Sequence, residues 1–162
     1  MEVLPKLLMS FPDLVYMVAG GGEDLPRLQA KTQSLGIAGH VIFTGYLSEA
    51  EKPDYYNLAD AFVMPGRGEG FGIVYLEAMA CGVPVVGSVL DGSREALLDG
   101  KLGVLVNPLD LASVEQGIRE ALKRGRGVPG GLEYFSHERF RERTWEILDK
   151  VTKWAKSKEG SC

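Results

Sequence analysis

Cysteine is scarce: two occur, Cys81 inside an apolar run and Cys162 at the last position. Thiols so placed make no disulfide framework, which excludes the stapled secreted scaffolds and points to a reducing, cytoplasmic compartment. Histidine is as rare. His40 and His137 stand alone, Cys81 has no spaced partner and no D-x-D pair occurs, so no metal is expected. No Ser/His/Asp set stands out either. No apolar run reaches the roughly 18 residues that span a bilayer, and no signal peptide precedes the first helix. Positive charge is in deficit, with 18 Lys and Arg against 22 Asp and Glu, a formal net charge of −4. Such a chain has no global field for nucleic acid or an anionic membrane. The basic residues that do gather, Lys123, Arg124 and Arg126, fall at the expected end of a helix and complement its dipole. Internal repeats, low-complexity tracts and linkers are absent.

What remains is a soluble globular composition, 45% hydrophobic and 25% charged over 162 residues, enough for one domain with one core. Strand-like and helix-like segments alternate. Apolar runs at 14–19, 40–44, 61–64, 85–88 and 103–106 read as strands, each bounded by glycine or proline. Helices are expected at 2–10, at 24–35 closed by Gly36, and from a Ser48–Glu51 capping box through Pro53 to Leu58. Others are expected at 72–81, near 94–98, from Asp110 to Gly125, and from Ser136 onward. The 110–125 helix carries Leu111, Val114, Ile118, Ala121 and Leu122 on one stripe, and the last carries Phe140, Thr144, Ile147, Leu148, Val151 and Ala155 on another. Strands apolar throughout and separated by helices indicate a doubly wound, mostly parallel, Rossmann-like α/β sheet with helices on both faces. Such sheets usually begin with a strand, yet the first element here is a helix. The expectation is a single domain, residues 1–162, whose first strand is missing.

Two places carry candidate chemistry. Gly20-Gly21-Gly22 follows a strand and opens a helix, where phosphates often bind. Glu23 and Asp24 come next and repel phosphate, so a plain tight turn is the stronger reading there. The stretch from Pro65 to Pro84 is different. Arg67, Gly68, Glu69, Gly70, Phe71 and Gly72 form a glycine-rich loop at the C-terminal edge of the sheet, leading into a helix that starts near Gly72. Its free N–H groups, with the helix dipole behind them, suit a diphosphate. Glu77 is the one carboxylate in an otherwise apolar helix, roughly 7 Å along the axis from the helix start. Burying it is costly unless it is hydrogen-bonded or faces a polar cavity. Carboxylates accept paired hydrogen bonds from vicinal diols, so Glu69 and Glu77 could flank a nucleotide-sugar. The residues alone leave a second reading equally open: Glu77 pairs with a buried Arg or caps a loop, and Glu69 is solvated.

Glu69-Gly70-Phe71-Gly72, Glu77-Ala78-Met79-Ala80-Cys81-Gly82 and Pro84-Val85-Val86 resemble the E-x7-E donor signature of retaining, GT-B-fold glycosyltransferases, the glycosyltransferase family 4 group. The match continues through Phe11-Pro12-Asp13, 41–46, 59–63, Asp99-Gly100, 103–106 and Phe135-Ser136, nearly the whole chain in order. The resemblance implies the C-terminal, donor-binding half of a GT-B fold. Glu69 then takes the catalytic position, against the hydroxyls of the donor sugar, and Glu77 contacts the ribose. Backbone amides of Phe71, Gly72 and Ile73 contact sugar and phosphate, with Gly70 beside them. The base lies near Gly45, Tyr46 and Leu47, Gly20 lines the same edge, and Arg67 supplies positive charge. The donor is a nucleotide-diphosphate-sugar, with no metal and no other cofactor. Family members also have an N-terminal acceptor domain, a first strand, and an upstream Arg and Lys on the diphosphate, none of which is in this sequence. The isolated chain is therefore expected to be inactive, and the full-length enzyme cytoplasmic or peripheral to a membrane. Two other readings stand beside this one: a non-catalytic nucleotide-binding or protein-interaction module that self-associates through an exposed sheet edge, and a GT-B-fold epimerase fragment. Nucleotide, sugar and acceptor are not legible.

Overall fold

A computed structural model describes residues 1–159 of the chain, so the expectation for Cys162 lies outside the described residues. The order is α1 (Leu4–Leu8), β1 (Tyr16–Ala19), α2 (Leu25–Ser34), β2 (Val41–Gly45), α3 (Lys52–Leu58), β3 (Phe62–Val63), α4 (Ile73–Ala80), β4 (Val85–Ser88), α5 (Ser93–Ala96), β5 (Val104–Val106), α6 (Leu111–Arg124) and α7 (His137–Glu159). The alternation follows the sequence pattern, although α1 is shorter than expected. The chain forms two compact units, Met1–Val128 and a second that begins at Pro129.

Local chemistry accounts for the boundaries. Pro26 and Pro53 sit in the first turns of α2 and α3, where a missing N–H costs nothing. Half of the Ser48–Glu51 capping box forms: the Ser48 N–H and hydroxyl both donate to Glu51 Oε2, at 2.9 and 2.6 Å. Asp110 accepts from the Ala112 N–H at 2.9 Å and starts α6. Asp24 does not cap α2. Its carboxylate takes the guanidinium fork of Arg27 instead, which holds it below the ordinary carboxylate range.

All the strand pairs are parallel, but the strands form two ladders, β1–β2 and β3–β4–β5. A doubly wound order runs outward in both directions from a central first strand. No strand precedes α1 among the described residues, and β1 and β3 share no ladder. The two ladders are joined instead through helices. α1 meets α6 through Lys6 and Glu115, 3.9 Å apart, and through Arg119, which donates to the Lys6 carbonyl at 3.1 Å.

The core centres on β4, buried along its whole length. Val86, Val104, Val106 and Ala121 pack together, with Ala61, Val63 and Val114 against them. The stripe expected on α6 is only partly right. Leu111 is half-exposed, at the start of the helix, and the deeply buried positions are Gly117 and Ala121. A Cβ on Gly117 would lie 2.2 Å from Val106 Cγ1, so the missing side chain is what brings α6 down onto β5. In the second unit Arg143 lies over the Tyr134 ring, 3.9 Å from its centroid, and donates to the Tyr134 carbonyl at 2.7 Å. The apolar stripe of α7, including Phe140, Ile147, Leu148 and Val151, is exposed.

Candidate functional site

The chain leaves β3 at Met64, crosses the glycine loop and turns into α4 at Gly72. Gly72 has φ +88°, a left-handed conformation, and a Cβ there would lie 2.5 Å from the Tyr75 ring. Tyr75 is completely buried, and its hydroxyl donates to the Met64 carbonyl, fixing the start of the loop. Burial pushes the Tyr75 phenol up to about 12. The other end of the loop is fixed from the β4–α5 turn, where the Gly92 N–H donates to the Glu69 carbonyl at 2.9 Å. Glu69, at the second anchor, is half-buried, and its Oε1 accepts the Phe71 N–H at 3.3 Å. The N–H groups of Ile73 and Val74 open α4 without intrahelical acceptors. A carboxylate, a bent glycine backbone and a helix start thus meet at the C-terminal edge of β3.

Glu77 lies one turn further along α4, about 6 Å of rise from Ile73. Its side chain is 33% exposed. Ile73 and Ala80 are exposed as well, so α4 is less enclosed than its composition implies. Among the described residues no Arg pairs with Glu77. Its Oε2 accepts the Tyr56 hydroxyl at 2.9 Å and lies 3.9 Å from Lys52 Nζ, both from α3, while Oε1 makes no hydrogen bond among the described residues. Burial, then the Glu77 hydrogen bond, pushes the Tyr56 phenol well above its ordinary value, so it stays a neutral donor.

Gly20 and Gly45 sit together where β1 and β2 end, the Gly20 N–H donating to the Gly45 carbonyl at 2.9 Å. Tyr46 beside them is 85% exposed and Leu47 is half-buried. Gly70 and Arg67 are exposed, and Arg67 has no ion pair among the described residues. Gly20, Gly45, Tyr46 and Leu47 belong to the β1–β2 side, whereas Glu69, Gly70, Phe71, Gly72, Ile73 and Glu77 belong to the β3–α4 side.

Several supporting residues escape a reading of the sequence. Arg126 is not a cap for α6. Its guanidinium donates to the carbonyls of Asn57 at 3.0 Å, Ala59 at 2.6 Å and Cys81 at 2.9 Å, tying the C-terminal ends of α3 and α4 together. The reason is Gly125, whose φ of +69° turns the chain off the α6 axis. Asp91 also lies under the loop. Its Oδ1 accepts the Ser93 N–H at 3.1 Å, whereas its buried Oδ2 has no hydrogen-bond partner among the described residues. That oxygen would lie 3.5 Å from a Cβ on Gly66. The triplet Asp91-Gly92-Ser93, separated from the buried strand β4 by Val89 and Leu90, was the available signal. A separate cavity of about 380 Å³, lined by Gln29, Gln33, Val41 and Phe43 among others, lies away from these residues. Among the described residues no cluster of three or more His, Cys, Asp or Glu side chains could hold a metal, and no helix is long and apolar enough to cross a membrane.

Parallel strands crossed by helices, with a glycine turn feeding a helix start at the strand ends, make this a Rossmann-like fold of the kind that forms the C-terminal half of GT-B glycosyltransferases. The family model described as glycosyl transferases group 1 matches residues 1–136, and the chain belongs to that family. A GDP-mannose-dependent alpha-(1-6)-phosphatidylinositol monomannoside mannosyltransferase of Mycolicibacterium smegmatis is 41% identical over 128 residues, 75% of this chain and 34% of that protein. The chain spans about a third of the length of the curated relatives it matches. Among solved structures, the apo lipopolysaccharide outer core galactosyltransferase WaaB superposes with a TM-score of 0.72 at 23% identity, over 91% of this chain and 45% of that one. Anabaena Alr3699/HepE, solved with UDP-glucose, gives 0.68 at 22% identity, over 88% and 42%.

Proposed function

We propose that this chain is the donor-binding half of a retaining hexosyltransferase, holding a nucleotide-diphosphate-sugar along the edge that runs from Gly45 to Glu69. The observation that carries this reading is the start of α4. Gly72, Ile73 and Val74 offer N–H groups at the positive end of a helix dipole, with Glu69 on one side and Glu77 a turn further on. In this reading the diphosphate sits on those N–H groups, Glu69 takes sugar hydroxyls, Glu77 takes the ribose, and the base lies toward Tyr46 and Leu47. Arg67 is free to approach the diphosphate. No metal ion or other cofactor takes part. Transfer breaks the bond from the anomeric carbon to the diphosphate and forms one to the acceptor oxygen on the same face. The acceptor proton passes to the leaving phosphate oxygen. The acceptor is bound by an N-terminal domain outside this sequence, so the chain alone binds donor without transferring it.

The donor to test first is GDP-mannose, because the relative named above is GDP-mannose-dependent and shares 41% identity. That protein's name also carries a phosphatidylinositol acceptor, which supports peripheral membrane attachment for a full-length enzyme. Calorimetric titration with GDP-mannose, UDP-glucose and ADP-glucose tests the assignment. The expected result is preference for GDP-mannose and at least about a tenfold loss in Glu77→Ala, the size of a lost hydrogen bond to a charged group. Unchanged affinity in that variant removes Glu77 from the site.

A second reading, a non-catalytic interaction module, is favoured by one observation: β1 and β3 each pair on one edge only. Free strand edges promote self-association. Light scattering that finds a concentration-independent monomer argues against it.

A further inference from the structure

We propose that Tyr56 is the positioning residue that fixes the Glu77 carboxylate for ribose recognition, an inference that rests on the donor-site reading above. A free glutamate side chain turns about three bonds, and a diol needs both carboxylate oxygens held in one plane. Tyr56 supplies that restraint. Its hydroxyl donates to Glu77 Oε2 at 2.9 Å, which leaves Oε1 and one lone pair of Oε2 for a ligand.

The phenol is itself held from two directions. Its ring meets Phe62 edge-on, with centroids 5.7 Å apart at 72°, and Phe62 meets Tyr75 in the same way at 5.6 Å and 82°. Its backbone belongs to the end of α3, which Arg126 binds to the Cys81 carbonyl, four residues beyond Glu77. The restraint therefore reaches Glu77 from β3 through the rings and from the end of α4 through the guanidinium. Lys52 adds charge at 3.9 Å but spends its closer contact on Glu49, at 2.7 Å, so it complements the carboxylate without orienting it.

The test compares GDP with 2′,3′-dideoxy-GDP by calorimetry on the wild-type chain, Tyr56→Phe and Glu77→Gln. Tyr56→Phe keeps the ring stack and removes the hydroxyl. It is expected to weaken GDP binding about five- to tenfold, the size of one re-mobilised side chain plus a lost restraint, and to leave dideoxy-GDP binding unchanged. In the Glu77→Gln background the same substitution should have at most about a twofold effect on GDP, because coupled residues are not additive. Equal weakening of both nucleotides by Tyr56→Phe would mark a merely structural role and overturn the proposal. So would full GDP affinity in Tyr56→Phe while the wild-type chain still prefers GDP. A wild-type chain that does not distinguish the two nucleotides refutes the Glu77–ribose contact itself, a different failure. If Tyr56→Phe does not fold, Phe62→Leu keeps the hydroxyl and loosens the ring, with about a twofold loss expected for GDP alone. No selective loss there overturns the proposal.

Discussion

Replacing Gly92 by alanine separates a steric role from a conformational one. Gly92 has φ −66° and ψ −7°, a backbone region in which alanine is at ease, so no strain arises from the dihedrals. The collision is elsewhere. An added Cβ would lie 1.9 Å from the Gly70 carbonyl oxygen and 3.0 Å from that of Glu69, and both obstacles are main chain. Neither can rotate away, so the glycine loop must lift off the β4–α5 turn. Lifting also breaks the 2.9 Å bond from the Gly92 N–H to the Glu69 carbonyl. Overpacking costs about 1–3 kcal/mol and the lost hydrogen bond about 1 kcal/mol, together about 2–4 kcal/mol. For a chain of this size that lowers Tm by about 5–15 °C. Circular dichroism melts and donor titration should show both effects, since the displaced residues include Glu69. Gly68→Ala is the control, because a Cβ there meets nothing within 4 Å and its φ is not positive. A Gly92→Ala chain with wild-type Tm and wild-type donor affinity would refute the claim that this close approach sets the loop.

Two other consequences are open to measurement. Arg126→Met removes the guanidinium that joins the ends of α3 and α4, at a cost of about 1–2 kcal/mol in urea unfolding given its exposed setting, and Arg126→Lys restores little because one ammonium cannot reach several diverging carbonyls. Burial raises the Tyr75 phenol from 10.0 to about 12, so the native state keeps a proton that the unfolded chain releases. Its contribution is complete below pH 10 and declines as pH rises to about 12; urea midpoints measured across that window should fall, and Tyr75→Phe should flatten the fall.

The elements most legible in the sequence are those whose punctuation is local. Val85–Ser88 is bounded as expected because a short run of small residues and valines between Pro84 and a turn reads as a buried strand. α2 ends at Ser34 because Gly36 is left-handed, and α6 begins where Asp110 can cap it. The positions of Glu69 and Glu77 on either side of a helix start were legible for the same reason. Partnership across elements was not. Tyr56 reads as an ordinary helical aromatic, and its bond to Glu77 spans 21 residues. Arg126 reads as a helix-end cation until the turn at Gly125 redirects it 45 residues back to Cys81. The pattern of strands carries no information about which edges pair, so the division into two ladders was invisible to periodicity. Gly117 lies outside the apolar stripe read from the sequence yet is a contact point, because close packing of a helix on a strand depends on a neighbour's volume.

The break between the two ladders bears on how the candidate site responds to occupancy. Gly20, Gly45 and Tyr46 ride on one ladder, and Glu69 through Ile73 ride on the other, with no strand-to-strand ladder between them among the described residues. Side-chain contacts between helices, such as those of Lys6 with Glu115 and of Arg119 with the Lys6 carbonyl, are softer than a ladder of amide bonds. A ligand long enough to touch both groups would act as a splint. Its binding would stiffen the molecule along the line joining Tyr46 to Gly72, and amide exchange in β1 and β3 should slow together when it does.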